Sequence, residues 1–85
     1  MYMPHGKTPP PTPLELAIVR GIRDVMDDQG VTITETADAA GMSVAQLSRV
    51  LAGQKSLKLG EMIGLCRALR LSPSTVIALA QAQVG

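Results

Sequence analysis

The chain contains no Trp, no Phe and no Asn, and only one Tyr, one Cys and one His. With aromatics at 1%, any core must be assembled from Leu, Ile, Val, Met and Ala. A lone Cys66 cannot close an internal disulfide, so nothing here calls for an oxidising compartment. A lone His5, set among prolines, cannot build a Cys/His metal set or a nucleophile–base pair. No Gly-rich phosphate loop is present either. An enzyme is therefore not expected, nor a cofactor, a metal or a small-molecule ligand. There is no apolar run of about 18 residues and no charged leader ahead of an apolar stretch. The expectation is a soluble, cytoplasmic chain without membrane contact.

What is present suits one small folded domain: 85 residues, 46% apolar and 18% charged. A core of this size leaves only a few kcal/mol of net stability, so a second copy or a partner would add usefully to it. The net charge of +1 hides an asymmetry. Residues 1–42 carry Lys7, Arg20 and Arg23 against Glu15, Asp24, Asp27, Asp28, Glu35 and Asp38. Residues 43–85 carry Arg49, Lys55, Lys58, Arg67 and Arg70 against Glu61 alone. One half of the chain is acidic and the other basic.

Residues 1–12, MYMPHGKTPPPT, hold four of the six prolines and no periodicity, and read as an extended, flexible arm. A domain over 13–82 follows. Thr12-Pro13-Leu14-Glu15 is an N-cap, a first-turn Pro and a capping-box Glu. Leu14, Ala17, Ile18, Ile22, Val25 and Met26 then recur at helical spacing until Gly30, predicting a helix over 13–28. Arg20–Asp24 and Arg23–Asp27 are i,i+4 pairs, so the acids read as a solvated face, not a metal site. Thr32 with Glu35, and Ser43 with Gln46, are further capping boxes that open helices over 33–40 and 44–51, with Gly41 between them. Gly53 and QKSLK form a polar loop. Leu59, Met62, Ile63, Cys66 and Leu69 mark a helix over 59–70, and Ser72-Pro73 starts another over 73–82. No segment alternates with period two. The fold class is all-α: a compact five-helix bundle.

Two short helices joined by a Gly turn describe a helix-turn-helix. The stretch Val31–Leu79 resembles the Cro and lambda-repressor type helix-turn-helix family, often called the XRE family. The resemblance rests on Thr32, Glu35, Ala37, Gly41, Ser43, Leu47, Val50, Gly53, Leu59, Leu69 and Ser72. It departs from the family at Ile33, where many members carry Gln, and at Thr36, where Leu is usual. A helical wheel with Leu47 inward sets Val44 and Leu51 beside the core and turns Ala45, Ser48, Arg49 and Ala52 away.

The resemblance implies that the helix 44–51 enters a DNA major groove, with Val44, Ala45 and Arg49 at positions that commonly reach base edges. Arg49 suits guanine O6 and N7, Ser48 a base or a phosphate, and Val44 and Ala45 a thymine methyl. Ser43 and Gln46, at the helix start, and Lys55 and Lys58 are expected at phosphates. The implied function is a sequence-specific transcriptional regulator, a repressor or phage Cro-like protein. It is expected to bind a pseudo-palindromic operator as a homodimer through Val76, Ile77, Leu79 and Val84. One alternative is a protein-interaction module on the same scaffold, antitoxin-like or binding a host factor, with little DNA affinity. The arm, with His5 and Lys7, either reaches a minor groove or is a plain disordered tail.

Overall fold

The computed structural model describes residues 10–84. Among them the chain forms five helices and no strand: α1 (Pro13–Gln29), α2 (Ile33–Ala40), α3 (Val44–Leu51), α4 (Leu59–Leu69) and α5 (Pro73–Val84). The all-α class and the tight α2–α3 pair are as expected. The greater part of the proline-rich arm, with His5 and Lys7, lies outside the described residues.

Local chemistry explains where the helices start. The Thr12 hydroxyl accepts from the Glu15 N–H at 3.2 Å, and the Glu15 carboxylate accepts from the Thr12 N–H at 2.7 Å. Thr32 and Glu35 repeat the exchange at 3.1 and 2.9 Å, and Ser43 and Gln46 at 3.0 Å in both directions. Each box satisfies two backbone donors that a helix start would otherwise leave without a partner. The ends of α1 and α2 turn on Gly30 and Gly41, both left-handed. The end of α4 differs, because Arg70 takes the left-handed conformation (φ 60°) without being a glycine. There the Leu71 N–H reaches back to the Cys66 carbonyl at 2.7 Å, while Leu71 packs on the core. That paired hydrogen bond and apolar contact hold the left-handed residue in place. α4 therefore stops at Leu69, and α5 turns away from it by 109°. Among the described residues no single helix is long and apolar enough to cross a membrane.

The core is aliphatic throughout. α1 contributes Ala17, Ile18, Val19, Ile22 and Met26, and α3, α4 and α5 all pack against it; α2 packs on α3 and α4. Met62, Leu65, Cys66 and Leu69 form the buried side of α4. This corrects the stripe expected there: Leu59 is 68% and Ile63 39% exposed, and Leu65 is fully buried. The 3.6-residue period allowed either neighbour to face in, and packing against α1 and α2 chose Leu65. Thr36, which replaces an apolar residue usual in the resembled family, is buried, and its hydroxyl donates to the Thr32 carbonyl at 2.9 Å. The polar group is thus satisfied within its own helix.

α2 and α4 approach closely at Gly64, where a Cβ would lie 2.9 Å from the Ala40 carbonyl oxygen. Gly21, in the middle of α1, would meet nothing within 4 Å. Gly64→Ala should therefore lose about 1–2 kcal/mol through forced separation of α2 and α4. Gly21→Ala should gain up to about 1 kcal/mol from helix propensity alone. Urea unfolding of both variants checks this, and equal shifts of the same sign would contradict it.

Candidate nucleic-acid interface

α3 is divided lengthwise. Leu47 and Val50 are fully buried and Leu51 nearly so, whereas Ala45, Gln46, Ser48 and Arg49 are exposed and Val44 is 45% exposed. Val44, Ala45, Ser48 and Arg49 are thus brought together on one helix of eight residues. Arg49 stands in the last turn, where the helix dipole favours a cation. At the other end the capping box occupies the Gln46 carbonyl oxygen and the Ser43 hydroxyl oxygen as acceptors. The amide NH2 of Gln46 and the hydroxyl hydrogen of Ser43 take no part in the cap, which leaves donors at the helix start. Ile33, at the start of α2, is 37% exposed.

The geometry of α3 is held from α1. The Arg23 guanidinium donates through Nη1 to the Leu51 carbonyl at 3.4 Å, and the Gln29 amide donates to the Leu69 carbonyl at 2.8 Å. Each satisfies a C-terminal carbonyl that its own helix leaves open. The expected pairs Arg20–Asp24 and Arg23–Asp27 are not closed. Among the described residues the ion pair within 4.0 Å is Lys55–Glu61. Arg23 instead turns to the negative end of α3, and an exposed i,i+4 pair is too weak to prevent this.

The loop between α3 and α4 is anchored as well. Gly53 adopts φ 73°, with its Cα side 3.2 Å from Leu16 by the position a Cβ would take. The Glu15 carboxylate, besides capping α1, accepts from the Leu57 N–H at 3.2 Å and from the Ser56 hydroxyl. Glu61 accepts from the Lys58 N–H at 3.0 Å and pairs with the Lys55 ammonium at 3.0 Å. Lys58 has no side-chain acceptor, so the start of α4 carries only the Glu61 half of a capping box. Lys58 is exposed, while Lys55 keeps 23% of its side chain in solvent and gives part of its field to Glu61.

These bonds set the acidities. The Thr12 backbone N–H, opposed by burial and helped by the Thr12 hydroxyl, Leu57 and Ser56, holds the Glu15 carboxyl below its ordinary 4.5. For Glu61, burial pushes upward, but the Lys58 N–H and the Lys55 ammonium outweigh it and the net direction is down. The Thr32 N–H lowers Glu35 in the same way. Burial pushes the Cys66 thiol up, which leaves it an unreactive core side chain.

On α5, Val76 and Ile77 are half-buried against the core, whereas Leu79 and Val84 are 63% and 47% exposed. A groove of about 260 Å³ runs between α1 and α5, past Gly21, Val25, Val76 and Leu79. Among the described residues no cluster of three His, Cys, Asp or Glu could hold a metal ion.

A capped helix with one buried and one open side, set by a glycine turn against a second short helix, defines a helix-turn-helix protein. The chain belongs to the helix-turn-helix domain family, which matches residues 16–80. Two crystal structures of the clp gene regulator ClgR from Corynebacterium glutamicum are similar to it. One is 31% identical with a TM-score of 0.76, covering 88% of this chain and 79% of that one. The other is 29% identical with a TM-score of 0.75, covering 85% and 94%. A mutant of the restriction-modification controller protein C.Esp1396I, 12% identical, shares the fold at a TM-score of 0.75 over 85% of this chain and 96% of that one. No functionally curated protein matches significantly.

Because the folded carboxyls of Glu15, Glu35 and Glu61 lie below 4.5, their stabilisation is complete above that value and is lost as pH falls through it towards the lowered folded values. Melting followed from pH 7 to pH 3 should show a steep fall for the natural chain and a shallower one for Glu15→Gln. Parallel curves would show that the Glu15 tie to the loop contributes nothing.

Proposed function

We propose that this protein is a DNA-binding transcriptional regulator that lays the open side of α3 in the major groove. The observation that carries the proposal is the division of α3, with Leu47 and Val50 fully buried and Ala45, Ser48 and Arg49 facing solvent. Family membership and the likeness to a clp gene regulator support it. Arg49 is the one long reader and bonds a guanine at O6 and N7; Val44 and Ala45 touch thymine methyls. Ser43 and Gln46 donate to a phosphate beside the helix N-terminus, where backbone N–H groups converge. Lys58 adds a phosphate contact, and Lys55 a weaker one because Glu61 shares its charge. With so few readers, part of the selectivity comes from DNA shape. The protein acts on DNA in the cytoplasm, as a repressor in the manner of small Cro-like proteins.

The test is binding to the DNA upstream of its own gene and to a random duplex, from about 50 to 200 mM salt, beside Arg49→Ala. Affinity should fall steeply with salt on both duplexes. The preference for the upstream site should drop by roughly 1–3 kcal/mol in Arg49→Ala. Weak, salt-independent binding to both would overturn the proposal and favour a protein partner on the same scaffold.

A single α3 reads too little sequence to select one site, so the working form is a two-fold dimer on a pseudo-palindrome with half-sites about 34 Å apart. The exposed Leu79 and Val84 of α5 are the apolar groups left for that contact, with Val76 and Ile77 at its edge. Sedimentation at tens of micromolar should give dimers on operator DNA and only monomers for Leu79→Glu. Monomers for the natural chain, with and without DNA, would contradict this.

A further inference from the structure

Arg23 sits on α1, which the readout described above does not use. Together with Ile33 of α2 and Ser48, Leu51 and Ala52 at the end of α3, it lines a shallow cleft of about 230 Å³. Three elements meet there, at the C-terminal part of α3, whose last turn also carries Arg49. The cleft has one cation, one hydroxyl, an apolar remainder and no carboxylate. Asp24 and Asp27 line a separate hollow on the other flank of Arg23, with Arg20 and Gln83, and neither closes an ion pair with it. The guanidinium keeps a single long bond of 3.4 Å to the Leu51 carbonyl, which orients it against α3 and commits one of its five N–H groups.

We infer that this cleft seats a backbone phosphate of the bound duplex, with the Arg23 guanidinium and the Ser48 hydroxyl as its donors. The inference deepens the reading of α3 as the groove helix and rests on it. A fork of N–H donors that is held at one corner can still meet a phosphate with the others, a geometry an ammonium cannot reproduce. Ser48 is thereby assigned to the backbone and not to a base, and α1 becomes a contact element in its own right. Such a contact fixes the position of α3 on the duplex and carries no sequence information of its own.

The full chain is tested as Arg23→Gln, Arg23→Lys and Ser48→Ala, by fluorescence anisotropy on the upstream and random duplexes across the same salt range, with melting temperatures alongside. Arg23→Gln should weaken binding to both duplexes by the same factor, about tenfold, and make the log–log salt slope shallower by about 0.9. Arg23→Lys should retain the natural slope with intermediate affinity. Ser48→Ala should weaken both duplexes equally and leave the slope unchanged. A natural slope in Arg23→Gln, whether or not its melting temperature falls, overturns the inference and leaves Arg23 as a cap on α3. A changed ratio between the two duplexes in either Arg23→Gln or Ser48→Ala also overturns it, because that residue would then read a base. Either result can occur with salt-dependent, site-preferring binding by the natural chain intact, so it is distinct from failure of the regulator proposal.

Discussion

An eight-residue helix does not hold together alone in water, because nucleation costs more than so few backbone bonds return. α3 exists because Leu47 and Val50 are driven wholly out of solvent and Leu51 nearly so. α2 and α1 are the helices that pack against it. α1 supplies the wall, with Ile18, Val19 and Ile22 in the same core, and α4 supplies its continuation through Leu65 and Leu69. Because burial occupies only one side of α3, its other side stays available, and the small side chains there let a second surface come close. The helix is held firmly, and Arg49 is carried in its exposed last turn.

Holding is done at both ends. Ser43 and Gln46 satisfy the first turn, and Arg23 reaches the last carbonyl from α1. The loop beyond α3 is tied twice, by Glu15 to Leu57 and by Glu61 to Lys55 and the backbone of Lys58. The ties are made by carboxylates whose acidity they lower, so the placement of the loop cations and the acid stability of the domain depend on the same groups. Fixed loops matter for recognition, since a contact displaced by even about 0.5 Å loses much of its value.

Much of this was readable along the chain because the signals are local. Capping boxes are i,i+3 pairs, and Thr12–Glu15, Thr32–Glu35 and Ser43–Gln46 each announce a helix start without knowledge of the fold. Gly30 and Gly41 announce ends in the same way. The division of α3 followed from its wheel once Leu47 was set inward. What escaped is non-local. Glu15 meets Leu57 across 42 residues and Arg23 meets Leu51 across 28, and no pattern in the sequence pairs them. Arg23 instead reads as a partner of Asp27, the opposite charge one helical turn further along α1. Leu65 and Ile63 lie two apart on α4, and only tertiary packing decides which is buried. Arg70 takes a conformation that glycine usually marks, because the hydrogen bond and core packing of Leu71 compel it.

On the proposed function, the open side of α3 is the surface that meets DNA. This is tested most directly by NMR, with uniformly 15N-labelled protein titrated with a duplex of its upstream DNA. The largest amide shifts should cluster from Ser43 to Arg49, with a second group around Thr32 and Ile33. Shifts concentrated instead on α5 and the groove it forms with α1, with α3 unmoved, would contradict it.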